Sequence, residues 1–98
     1  MERTSINVGL CLIRLHFPGI ASLKEKRQVL RSLKDRLRDQ FNVSVAEVEH
    51  QDLWQRSRLA VVSVNTDHVH LESTLHSAAG EAEHSREIQV LDAQFEEL

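Results

Sequence analysis

Three groups of residues in this 98-residue chain have types and spacings that could carry chemistry. The first is in "EVEHQDLWQRSRLAVV", residues 47–62, where His50 and Asp52 stand two apart beside the single tryptophan, Trp54, and Arg56. In extended backbone, residues i and i+2 point the same way, so Asp52 could orient the His50 imidazole. Such a pair needs a nucleophile, and neither Ser57 nor Ser63 lies in a nucleophile motif. Polar residues between two apolar runs also read as an ordinary hairpin loop, so no catalytic role is assigned to them.

The second group is His68-x-His70 with Asp67. On a helix, His68 and His70 point about 200° apart and cannot share an ion, because a helical zinc pair needs i and i+4. His68 does fall in line with Glu72, an exposed i,i+4 pair. No metal site and no cofactor are expected.

The third group is a stripe of cations, Lys24, Arg27, Arg31, Lys34 and Arg38. At 100° per residue they fill a band about 80° wide, roughly 110° from the leucines of the same segment. Lys24, Lys26 and Arg27 also crowd the first turn and a half, where the helix macrodipole disfavours cations by about 0.3–1 kcal/mol each. Free helix N–H groups beside cations suit a docked phosphate or carboxylate. A solvated face with Asp35 and Asp39 nearby is the plainer alternative. The chemistry would be phosphate positioning without base reading. Five such contacts would set a salt slope of about −3.5 to −4.5.

These residues need elements to hold them. "INVGLCLIRLH", 6–16, is apolar on both alternating faces and reads as a central strand ended by Pro18 and Gly19. Ser22 and Glu25 form a capping box, and Leu23, Val29, Leu30, Leu33 and Leu37 line one side of a helix to about Gln40. "FNVSVAEVE", 41–49, alternates as a half-exposed strand, and "RLAVVSVN", 58–65, is a buried one. Thr66 or Asn65 can cap a second helix with Leu71, Leu75, Ala78, Ala79 and Ala82 inward. "REIQVLDAQFEEL" closes as a strand whose alternation slips between Val90 and Leu91, as at a bulge. The order β-α-β-β-α-β predicts an α+β, ferredoxin-like sandwich, four antiparallel strands with both helices on one face. A single domain over 1–98 is expected.

Composition narrows the classes. Cys11 is alone, so no internal disulfide forms, and its apolar neighbours imply a buried thiol in a reducing compartment. No apolar run reaches the ~20 residues of a membrane helix, and Arg14 and His16 interrupt the opening segment where a leader would be apolar. A soluble, cytoplasmic protein is expected. Net charge is −3, yet residues 1–40 carry nine Lys/Arg against four Asp/Glu, while 41–98 carry three against eleven. That asymmetry can mark one face for an anionic partner. An RNA-binding sheet of the kind that stacks bases on mid-strand aromatics is not expected, since 58–65 has none. An acylphosphatase would need an arginine in the first loop, and "HFPGIAS" has none.

"SLKEKR" (22–27), "FNVSVAEV" (41–48) and "HQDLWQR" (50–56), in this order and spacing, resemble the YlxP-like family of small bacterial proteins, a domain of unknown function. The resemblance covers nearly the whole chain. It implies a ferredoxin-like fold and a genomic association with translation and ribosome maturation; it supplies no catalytic residues. On this reading Leu53 and Trp54 fold back as a plug over one end of the core or a subunit contact, with His50, Asp52 and Arg56 tying the loop by hydrogen bonds. An exposed Trp54 would instead mark a binding anchor. The expected function is that of a noncatalytic cytoplasmic protein, RNA- or ribosome-associated, presenting Lys24, Lys26, Arg27, Arg31, Lys34 and Arg38 to phosphates. The alternative is a homodimeric protein-interaction module, because the first strand is apolar on the sheet face away from the helices.

Overall fold

Alternating burial along Asn7–His16 identifies β1 as the strand around which the rest is built. In the computed structural model, which describes residues 5–98, it is followed by α1 (Leu23–Gln40), β2 (Ser44–Glu49), β3 (Arg56–Asn65), α2 (His68–Ala82) and β4 (Gln89–Glu97). The part of the leader reading that concerns residues 1–4 lies outside the described residues. The strands form one antiparallel sheet in the order β2-β3-β1-β4, which with this chain order is the ferredoxin-like arrangement. Cys11, Ile13 and Leu15 of β1 and Leu59 and Val61 of β3 face the helices and are fully buried. Burial pushes the Cys11 thiol up to about 11, so it stays protonated and inert at neutral pH.

Local chemistry explains most boundaries. Ser22 Oγ accepts from the Glu25 amide at 3.2 Å, and the Glu25 carboxylate reaches back to the Ala21 amide at 3.3 Å. The reciprocal cap is thus shifted one residue outward from the usual box. β2 begins at Ser44 rather than at Phe41, because the Phe41 amide still bonds Leu37 O as the C-cap of α1 and Val43 then closes a tight turn onto Phe41 O. The second helix is capped by Asp67, not by Thr66 or Asn65. Its carboxylate accepts from the amides of Val69 and His70, and the His70 amide chiefly holds it below the usual carboxylate range. The β4 slip is real: Arg14 pairs with Asp92 but Leu15 with Val90, leaving Leu91 as the extra residue of a bulge.

Close approach of α2 depends on small residues. Ala78, Ala79 and Ala82 are all buried under it. At Gly9 of β1, an added Cβ would lie 2.7 Å from Leu75 Cδ1, so this position has no room for a side chain unless the helix side chains give way.

An exposed clasp joins α2 to the end of β4. His68 lies 2.9 Å from a Glu97 carboxylate oxygen and 3.1 Å from Glu72, and chiefly Glu97 raises its pKa above the ordinary 6.5. A raised folded pKa means the contribution is complete below the unfolded value and disappears as pH climbs through the folded one. Thermal melts of the native chain and His68→Gln should therefore differ most near pH 6 and converge toward pH 8. A gap that widened with pH would contradict the assignment.

Candidate nucleic-acid interface

α1 packs its leucine side toward the core and β2, with Leu30, Leu33 and Leu37 buried, and leaves the flank roughly 110° round from them facing solvent. On that flank Lys24, Arg27 and Arg31 are exposed and Lys34 is half-exposed. None of the four forms an ion pair among the described residues. Arg38 is differently placed. Its guanidinium donates to Val45 O at 2.9 Å and approaches Asp35 at 3.8 Å, so it is partly committed to fixing β2.

Lys26 is not a surface cation. It is 1% exposed, and its Nζ donates to His50 O at 2.6 Å and Leu53 O at 2.5 Å while standing 2.9 Å from Glu47 Oε2. All three ammonium protons have acceptors. The same Glu47 oxygen accepts from the buried Ser57 hydroxyl at 2.6 Å. The reason is phase: position 26 precedes Leu30, Leu33 and Leu37 by four, seven and eleven residues, which puts it on the buried stripe. Lys26 therefore leaves the set of residues available to a ligand and becomes the anchor of the β2–β3 loop.

That anchoring also revises the expected role of the loop. Trp54 is 49% exposed and Leu53 equally so; neither plugs the core, whereas Phe17 and Ile20 are buried members of it. The loop is tied by Lys26, by the Phe17 amide on Gln55 O, and by the Leu53 amide on His50 O. The side chains of His50, Asp52 and Arg56 do not provide those ties; His50 contributes only its carbonyl. His50 sits at φ 65°, in the left-handed region, with its ring 3.8 Å from Glu49. Asp52 and Arg56 instead border an open cleft with His16, Leu53, Trp54 and Gln55. The His50 and Asp52 side chains form no hydrogen bond with each other, and His50 is not among the residues lining this cleft. Nor is any group of three His, Cys, Asp or Glu placed to hold a metal among them.

Away from the helices, Val8, Leu10 and Leu12 of β1 lie beside Val64, Val62 and Ala60 of β3. This apolar open face is only half-buried, and Val64 is 49% exposed. Arg14 bonds Asp92 on it, and Arg58 bonds Glu49, so its charges at that end are largely paired. No helix among the described residues is long and apolar enough to cross a membrane.

A family model described as "Protein of unknown function (DUF503)" matches residues 8–95. The chain belongs to that family. DUF503 membership agrees with the resemblance carried by the loop and helix motifs. The chain is 43% identical over 54 residues to "Uncharacterized protein YlxP" of Bacillus subtilis (strain 168). That match takes in 55% of this DUF503 chain and 59% of the relative, so it spans little more than half the length of either. Among solved structures, a mutant of SnoaB, a cofactor-independent oxygenase from Streptomyces nogalater, is similar at 14% identity. The overlay covers 96% of this chain and 91% of that one with a TM-score of 0.48. At that distance no chemistry transfers from the oxygenase to the DUF503 chain.

Proposed function

We infer that this protein is a noncatalytic, cytoplasmic RNA-binding protein that holds phosphates along the solvent flank of α1. The observation that carries this is the set Lys24, Arg27, Arg31 and Lys34, four cations on one flank with no carboxylate partner among the described residues. On α1, own-chain carboxylates reach buried Lys26, Arg36 and part of Arg38, and leave these four cations without one. The molecule has net charge −3, so attraction to a polyanion must be local to this flank. Ribosomal RNA is the favoured polyanion, in keeping with the translation context of the YlxP-like resemblance.

Filter binding of purified protein to ribosomal RNA and to small ribosomal particles across salt tests this. Four phosphate contacts give a log–log slope between roughly −2.8 and −3.6. Absence of binding at low salt would end the proposal.

A second reading, compatible with the first, is supported by the apolar open sheet face. Half-buried Val8, Leu10, Leu12 and Val62 with exposed Val64 form a contiguous patch of the kind that a monomer rarely leaves uncovered. A second copy of the chain suits the patch, since a two-fold interface sets the same surface against itself. Light scattering at tens of micromolar should give a dimer mass, and Leu12→Asp should give a monomer that remains folded by circular dichroism. A native monomer at that concentration would eliminate this reading.

A further inference from the structure

The cleft at the β2–β3 loop is unused by the α1 flank, and its chemistry differs from that flank. We propose that it receives one unpaired nucleobase of a single-stranded RNA, stacked on the Trp54 indole. The inference rests on the RNA reading above and extends it from phosphates to a base.

Four observations converge on this. First, Trp54 is half-exposed on a loop that is held rather than loose. Lys26 fixes the carbonyls of residues 50 and 53 from below, and the Phe17 amide fixes that of Gln55 from the end of β1. A large aromatic surface is thus kept in water on a preorganised support, which reduces the ordering cost of binding.

Second, the space suits a flat ring. The cleft is about 440 Å³, within the range of small-molecule sites and ample for one base.

Third, its polar groups suit a base edge better than a phosphate. Arg56 and Gln55 offer donors, while Asp52 is an acceptor whose negative charge would repel a phosphate but accept an amino or imino N–H. The Arg56 guanidinium and the indole are both groups on which bases stack in single-strand sites.

Fourth, buried Lys26 ties the loop that carries the cleft to the first turn of α1. The Lys26 ammonium bonds the carbonyl of Leu53, one residue from Trp54, while Lys24 and Arg27 flank Lys26 on the outer side of the same turn. In the proposed complex, a strand with phosphates on the start of α1 places a neighbouring base in the cleft. Lys26 is therefore a positioning residue that links the two surfaces without touching the ligand.

Trp54 is the only tryptophan and the chain has no tyrosine, so its fluorescence reports the site directly. The native protein is titrated with a short uridine oligomer and with an abasic sugar–phosphate strand of equal length. The base-bearing strand should quench Trp54 emission and bind roughly 5- to 150-fold more tightly than the abasic one. Trp54→Ala should erase that preference, read by anisotropy of labelled strands, and leave abasic binding unchanged; Trp54→Phe should retain part of it. Equal binding of both strands with unchanged emission overturns the cleft alone. Failure of both strands to bind at low salt overturns the α1 reading and the cleft with it.

Discussion

Replacing Lys26 with alanine should destabilise the protein by about 3 kcal/mol or more and lower its melting temperature by roughly 12–20 °C. The argument begins with desolvation: placing an ammonium where it is 1% exposed costs several kcal/mol, and only full pairing offsets that. Pairing is complete, with Glu47 and two loop carbonyls taking one proton each. Truncation leaves Glu47 and both carbonyls short of their donor, which is the situation that costs 3–5 kcal/mol when a buried pair is broken. Glu47 is 16% exposed, so water can reach it in part and the lower end of the range applies. Lys26→Met combined with Glu47→Leu should recover much of the loss, because the charge that would be stranded is then gone. Even so, the double variant should not recover the loop. Amides of residues 50–55 should exchange faster and Trp54 emission should shift, since the Lys26 hydrogen bonds to His50 O and Leu53 O are absent. Denaturant unfolding that placed Lys26→Ala within about 1 kcal/mol of the native chain would mean that the ammonium is not committed as described.

Much of this molecule was legible because hydrophobic period and capping agree with the tertiary structure. The leucines of α1, the inward stripe of α2 and the slip in β4 follow from spacing alone, and packing had no cause to override them. Lys26 shows where residue type misleads. Its charge places it with the cations of the first turn, although its phase on the helix wheel falls among Leu30, Leu33 and Leu37. The periodicity held the signal; what the sequence could not supply was the partner, since Glu47 and the loop carbonyls come from residues 21 or more positions away. Trp54 was illegible for the same reason. Whether its loop folds over the core or stands clear depends on the Lys26 hydrogen bonds and on the left-handed turn at His50, both set by tertiary contacts. The displaced caps at Phe41 and Asp67 are smaller matters, where several eligible residues competed and backbone geometry chose among them.

The α1 flank carries the largest expected effect on binding. Each phosphate contact releases close to one counterion, worth somewhat under one decade of affinity at 0.1 M salt. Removing three of four contacts should thus weaken RNA binding by about two orders of magnitude, and reversing their sign should weaken it further through repulsion. Arg27, Arg31 and Lys34 are suited to this test, because they make no ion pairs among the described residues and Lys34 is the least exposed of the three. Their loss should leave the fold intact, as solvent-facing substitutions on a helix usually shift stability by less than about 0.5 kcal/mol.

The decisive measurement is filter binding of ribosomal RNA by the native chain and by Arg27→Glu/Arg31→Glu/Lys34→Glu over a salt series, with both proteins shown to be folded. The native protein should bind with a slope near −3 and the variant should lose at least about a hundredfold in affinity along with most of that slope. Equal affinity and equal slope in the two proteins would contradict the assignment of α1 as the phosphate-bearing surface.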